Sequence, residues 1–445
     1  MQTANNNSNG AQGIRLILRS LRNRNYRLFF MGQGASLIGT WMQQMAMGWM
    51  VYRLTDSAFF LGVVGFAGQI PTFFIAPFGG VLADRLSRRH ILIATEVLAM
   101  VQALILAALV MTGHIAVWQI IVLSVFLGIV NAFDIPTRQA FVCELVDNQD
   151  DLPNAIALNS MIFNGARLAG PAIAGLLIAA AGEGICFLIN AASFAAVLAA
   201  LLAIKTAPPI TAGNNEPVLQ SIKEGIAYAY GFVPIRAILL LLAVICLLGM
   251  SYGVLMPVFA RDILKGGPQT LGFLMGAVGV GALLGSIFLA SRRTVQGLSR
   301  IIVIATCIFA VGVAAFSFSQ ALWFSFIMIL LAGFAMMLQI ASINTVLQTI
   351  VDDDKRGRIM SLYTVAFMGT APIGSLLAGA IADAIGAPHT LQISAFLCVI
   401  AAIVFAMKLP AIEKMVQPIY VRKGIIRQVA TGLGTATQLT METKE

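Results

Sequence analysis

The sequence predicts an all-α integral membrane protein, with twelve transmembrane helices in two pseudo-symmetric halves of six. Three observations lead there. Apolar residues make up 59% of the 445-residue chain and charged residues only 11%, against about 25% charge in an ordinary soluble domain. A folded surface in water needs more polar cover than that. The apolar residues gather into stretches of about the 20 residues needed to cross a hydrocarbon core, and Lys and Arg collect in alternate gaps between them.

Taken in order, residues 1–24 form a polar, Asn-rich tail. Within 13–27, Arg15, Arg19 and Arg22 share one helical face, which fits either an interfacial amphipathic helix or a bare topology signal. The tail has no apolar stretch of the kind that a cleaved leader carries, and none is expected. Residues 25–205 hold the first six spans, over 25–52, 58–83, 91–112, 117–139, 156–181 and 185–205. Residues 206–235 read as a tether between halves, because 206–217 is rich in Pro, Gly and Asn; a short helix is expected from about Val218. The second six spans fill 236–409, over 236–258, 271–291, 301–318, 322–350, 359–385 and 390–409. Residues 410–445 lose apolar periodicity and read as a partly disordered tail.

The gaps set the orientation. Counting cations outside the spans or at their edges, the side holding the N-terminus carries 24 of the 28 Lys and Arg, among them Arg85, Arg88 and Arg89 after span two and Arg138 at the end of span four. The other side carries Arg53, Arg261 and Lys265, and Arg167 alone lies within a span. The positive-inside rule then places both termini in the cytoplasm. This placement accounts for the net charge of +9 without a nucleic-acid partner, and none is expected. Five cysteines in or beside the spans have neither disulfide nor metal spacing; they read as small packing residues.

The strongest local pattern is Gly80-Val-Leu-Ala-Asp84-Arg85-Leu-Ser-Arg88-Arg89. It resembles the signature loop of the major facilitator superfamily, with Ser87 where a glycine is usual. The resemblance implies the major facilitator fold and a gate in which Asp84 and the distal arginines lock the cytoplasmic end. A carboxylate there gains from a neighbouring guanidinium and a facing helix N-terminus. The alternative is a basic turn that only sets topology. Ser291-Arg292-Arg293, the counterpart in the second half, lacks the acid. Trp41-Met-Gln-Gln, Asp134-Ile-Pro-Thr-Arg-Gln-Ala140 and Arg167-Leu-Ala-Gly-Pro171 narrow the resemblance. They look like the branch that contains the enterobactin exporter, macrolide efflux pumps and transmembrane secretion effectors, over about 25–409. Span five also resembles an antiporter motif through Gly165, Gly170, Pro171 and Gly175, residues that permit bending and close helix approach. Its Gly170-Pro171 is echoed by Ala371-Pro372 in span eleven, as repeats in secondary transporters lead one to expect.

Arg167 is the sharpest single residue. A guanidinium at the bilayer centre costs at least about 2.5 kcal/mol, so it needs a wet cavity or a partner. Asp134, one or two turns nearer the cytoplasm, is the expected partner, with Asn131 and Asn164 also in reach. A structural pair, an anion contact for cargo and a part in coupling are all open. Among acids, Asp134 is the better coupling candidate, since the resemblance implies that span four lines the cavity; Glu96 is expected to pair with the basic loop, and Asp383 to be solvated. Spans one, four, seven and ten are the expected cavity walls, with Gln43 and Gln339 among their polar residues.

No zinc-protease, hydrolase or phosphate-loop motif occurs, so neither an enzyme, an ATP-driven pump nor a cofactor is expected. The resemblance implies a secondary transporter of the bacterial plasma (inner) membrane. It is expected to be a monomer exporting a small amphipathic molecule, such as a siderophore or drug, against a proton gradient. The alternative is a facilitator that moves lysophospholipids or other lipid-like molecules inward.

Overall fold

Helix propensity and hydrocarbon length together dictate the elements, because a segment crossing lipid must satisfy its own backbone. The structure, a computed structural model, describes residues 19–146, 148–204, 226–292, 294–352 and 355–423. Twelve long helices run in order: α1 Arg24–Thr55, α2 Ala58–Arg85, α3 Arg88–Met111, α4 Val117–Glu144, α5 Leu152–Ala181 and α6 Glu183–Ala203, then α7 Val233–Ile263, α8 Pro268–Ala290, α9 Leu298–Ser317, α10 Leu322–Ile350, α11 Arg356–Ile385 and α12 Ala387–Arg422. Among the described residues eleven of these are long and apolar enough to cross a membrane. The exception is α1, which carries Gln33, Ser36, Thr40, Gln43 and Gln44. Two helices widen into a π turn, α7 at Phe259–Ile263 and α11 at Val365–Gly369. Each lies beside a proline, Pro257 or Pro372, whose missing N–H breaks the regular ladder.

The helices sort into two lobes of six. In the first, α2 packs on α4, α1 on α5 and α6, and α3 on α4 and α6; in the second, α8 and α9 pack on α10, while α12 packs on α7 and α9. The lobes meet where α2 runs along α11 and α5 along α8. Equivalent contacts recur across this pseudo-twofold. A Cβ added to Gly62 would lie 2.6 Å from the Ser375 carbonyl and 3.1 Å from the Gly379 Cα, and one added to Gly175 would lie 3.2 Å from the Gly272 Cα. Only glycine lets two backbones approach this closely. Inside the lobes, Asn190 of α6 donates to Gln43 of α1 at 2.8 Å, and Ser251 of α7 donates to Ser394 of α12 at 3.4 Å. Gly175 and Gly379 occupy matching places, whereas Pro171 matches Ser375 rather than Pro372. The Gly-Pro echo in the sequence is thus about one turn out of step, a slip that keeps the same face of the helix.

Several expectations change. The C-terminal segment does not end at 409: α12 continues through Pro410 and Pro418 to Arg422, burying Ile412, Val416 and Tyr420 at four-residue spacing. Glu413 accepts from Arg300 at 2.8 and 2.9 Å, and Arg422 pairs with Asp352 at 3.0 Å. At the other terminus, Arg19–Arg22 is a 3-10 turn docked on the start of α5, where the Ser20 hydroxyl reaches the Asp151 carbonyl (2.9 Å) and Asn154 (2.8 Å). Residues 13–18 of the expected interfacial segment, with Arg15, lie outside the described residues. Residues 1–18, 205–225 and 424–445 lie outside the described residues, with most of the expected linker; 226–231 is helical and α7 starts at Val233.

Candidate functional site at the seam between the lobes

The seam has two unlike ends: the terminal end, where the described chain begins and finishes, and the far end. At the far end polar side chains join the lobes. Arg261 of α7 donates to Asp56 at 2.5 Å and to the Tyr52 carbonyl at 3.4 Å, and its guanidinium lies 5.6 Å from the centre of the Tyr52 ring. The Tyr52 hydroxyl donates to Asp262, and Ser57 donates to Asp383 at 2.8 Å. Asp383 is therefore a seam residue and not merely a solvated acid. Arg53 grips Glu183 at 2.8 Å within the first lobe, holding α1 against α6. The glycine contacts of Gly62 and Gly175 lie just inside this cluster.

Toward the terminal end the lobes part. Phe73 against Gly369 and Leu168 against Gly279 are close contacts near mid-seam. Below them the Arg356–Thr364 part of α11 packs on α7 and α10 of its own lobe, and a Cβ on Gly80 or Gly357 would meet no atom within 4 Å. The signature loop is organised within the first lobe. Arg88 donates to Glu144 at 2.6 Å and to the Ala83 carbonyl at 3.2 Å. Arg89 donates to the carbonyls of Leu201 (2.7 Å) and Leu202 (3.0 Å), where a cation complements the C-terminal end of α6. Arg85 is exposed, and the Asp84 side chain lies outside what the structure describes. In the second half Arg292 donates to the Gln296 carbonyl, and Arg293 lies outside the described residues.

Arg167 sits about 22 Å along the roughly 45 Å of α5, near mid-membrane. Its guanidinium lies 5.7 Å from the Trp41 ring centre. Gly170 makes this possible: a Cβ there would lie 2.6 Å from the Trp41 Cβ. Phe163 meets Trp41 edge-on at 5.9 Å. Asp134 is not the partner of Arg167. It pairs instead with Arg138, one turn along α4, and accepts from Thr95 at 3.1 Å. Arg138 is thus part of α4 and not a loop cation. Glu96 of α3, only 2% exposed, lies 4.0 Å from Arg138, with its Oε2 unpartnered. It does not pair with the basic loop.

The remaining candidates are scattered. Gln43 is held inside the first lobe, donating to Gln102 at 2.9 Å and accepting from Asn190. Gln339 is buried within the second lobe, with both polar atoms unpartnered. Neither lines the seam. Asn164 donates to the Ser160 carbonyl at 2.9 Å, Asn131 is half-buried on α4, and Pro171 presents its carbonyl to Gly272. A shallow groove of about 380 Å³ runs between α1 and α5, lined by apolar residues including Met31, Ile38, Met161 and Gly165. Sequence reasoning missed the Tyr52, Asp56, Arg261 and Asp262 cluster, whose members lie about 205 residues apart and carry no motif.

The model for the transmembrane secretion effector family matches residues 17–423. The chain is 27% identical to the staphyloferrin A transporter of Staphylococcus aureus, over 85% of this chain and 95% of that one. It is 25% identical to the multidrug efflux pump Tap of Mycolicibacterium fortuitum (83% and 92%) and to macrolide efflux protein A of Streptococcus pyogenes (84% and 94%). Among solved structures, a bacterial homolog of the human lysosomal transporter Spinster, inward-facing and unoccupied, superposes with a TM-score of 0.68 at 14% identity, over 89% of this chain and 98% of that one. That likeness concerns the fold.

Proposed function

The chain belongs to the transmembrane secretion effector family of major facilitator transporters, and from that premise we propose that it is a proton-coupled exporter of small amphipathic molecules. It is a transporter and not an enzyme. The staphyloferrin, multidrug and macrolide relatives support a siderophore or drug as cargo. One observation carries the alternating-access reading: the lobes are joined at the far end by the Arg261, Asp262 and Asp383 contacts and part at the terminal end. With 24 cations on the terminal side, the positive-inside rule puts the open end toward the cytoplasm of a bacterial plasma membrane. That is the loading state of an exporter. The loop of Gly80, Asp84, Arg85, Arg88 and Arg89 would close this end when the lobes rock. The protein works as a monomer in this reading, since each lobe supplies half of the seam.

Coupling is assigned to Glu96, Asp134 and Arg138. One guanidinium faces two buried carboxylates, and both cannot stay ionised in an apolar interior without a second cation. A proton on one carboxylate balances the cluster. The apolar groove between α1 and α5 favours, as a second reading, inward movement of a lipid-like molecule whose chain lies there. Accumulation in cells lacking the protein separates the two. Cells lacking the protein are expected to retain extra macrolide or siderophore, and a protonophore should raise retention in the wild type to the same level. A deficit of lysophospholipid uptake with unchanged drug retention would replace export by the second reading.

A further inference from the structure

We propose that the seam holds an anion site, with Arg167 as the receiving cation and Trp41 as the platform that aims it. Among the described residues Arg167 makes no hydrogen bond or ion pair; its partner is the neutral face of Trp41 at 5.7 Å. The described carboxylates around the seam are engaged elsewhere. Asp134 and Glu96 share Arg138, while Asp56 and Asp262 are held by Arg261 and Tyr52. A guanidinium offers five N–H donors in a planar fork that suits a carboxylate or phosphate. In a seam walled by hydrocarbon those donors have strong reason to be met. Trp41 covers one face of the fork and leaves its edge for a ligand, as cation–π stacking allows.

The surroundings define the rest of the ligand. Trp41, with Phe163 edge-on to it, supplies aromatic surface beside the guanidinium, so the group bound is an anionic head on an apolar or aromatic body. Gly170 is the positioning residue, because any larger side chain there displaces Trp41. The shared chemistry is an oxyanion, which a water-soluble organic acid or a lysophospholipid headgroup brings equally. The site rests on the export reading for its direction of use, but not for its existence.

The test uses the full-length protein in nanodiscs with two fluorescent probes, dansylglycine and its neutral amide. Wild type is expected to bind the acid at least about tenfold more tightly, the scale of one charge-assisted hydrogen bond. Arg167→Gln should lose that margin and leave the amide unchanged, while Arg167→Lys, which keeps the charge without the fork, should retain part of it. No preference for the acid in the wild type, or equal losses on both probes in Arg167→Gln, overturns the site. Displacement of dansylglycine by tricarballylate assigns the anion to a soluble acid, and displacement by lysophosphatidylglycerol alone assigns it to a lipid headgroup; displacement by neither overturns it. Efflux that persists without charge selectivity sinks the anion site and spares export. Charge-selective binding without efflux does the reverse.

Discussion

Arg138 stands between Asp134 and Glu96 in the interior of the first lobe, and the electrostatics of that triad make the sharpest demand on any one residue. Removing one partner of a buried pair costs about 3–5 kcal/mol, because the charge left behind has no water. Arg138→Gln is therefore expected to lower the thermal denaturation midpoint markedly, read by size-exclusion fluorescence. Glu96→Gln should leave that midpoint near wild type and flatten the dependence of efflux on external pH. An unchanged pH profile in Glu96→Gln would move coupling elsewhere. The Asp134–Arg138 pair was legible in the sequence at i, i+4 spacing, yet Arg138, one residue from the end of span four, counts with the cations of the cytoplasmic edge. Gln43 misled in the opposite sense. A polar residue inside an apolar span suggests a wet cavity, but Gln43 satisfies an internal network with Gln102 and Asn190. Hydropathy cannot separate those two uses.

Helices show what periodicity reveals and where it stops. All twelve were visible as apolar stretches, because lipid imposes a length and forbids unsatisfied backbone. The extension of α12 was not. Pro410 and Pro418 read as breakers, and the apolar residues beyond them are sparse. The spacing of Ile412, Val416 and Tyr420 still makes a buried stripe, and the Arg300–Glu413 and Arg422–Asp352 pairs flank it. Fully buried apolar side chains are worth about 1.5–3 kcal/mol each. Ile412→Ala should accordingly destabilise the second lobe by about 2 kcal/mol or more, seen as a lower denaturation midpoint. Glu413→Gln, an exposed pair partner, should change it by less than about 1 kcal/mol. Equal effects would mean that the extension is held by charge rather than by burial.

For the molecule as a whole, the question is how firmly the far end is shut. Asp56 and Arg261 are both substantially exposed, and such pairs are typically worth about 0.2–1 kcal/mol. A few links of that size can be broken by ordinary differences in binding energy, as a two-state carrier requires. Combining Asp56→Asn with Arg261→Gln should raise the labelling of a Ser57→Cys reporter by a membrane-impermeant maleimide, with less effect together than the single changes sum to. Unaltered labelling would show that the polar cluster does not hold the lobes. The six-plus-six layout was legible from hydropathy and the signature loop. This cluster was not, because its members lie in different lobes and meet only where the lobes dock.

The paired glycine contacts, Gly62 with Gly379 and Gly175 with Gly272, bear on more than docking. Backbone laid flat on backbone has no side-chain teeth to unmesh, so the plates can part without first untangling. It also leaves no room for a water molecule at those two crossings. In the export reading proposed above, such a seal would keep an energised membrane from short-circuiting while cargo boards. A methyl group added at Gly62 or Gly272 would wedge the joint ajar, and its first symptom would be a drain on the proton-motive force in cells given nothing to export.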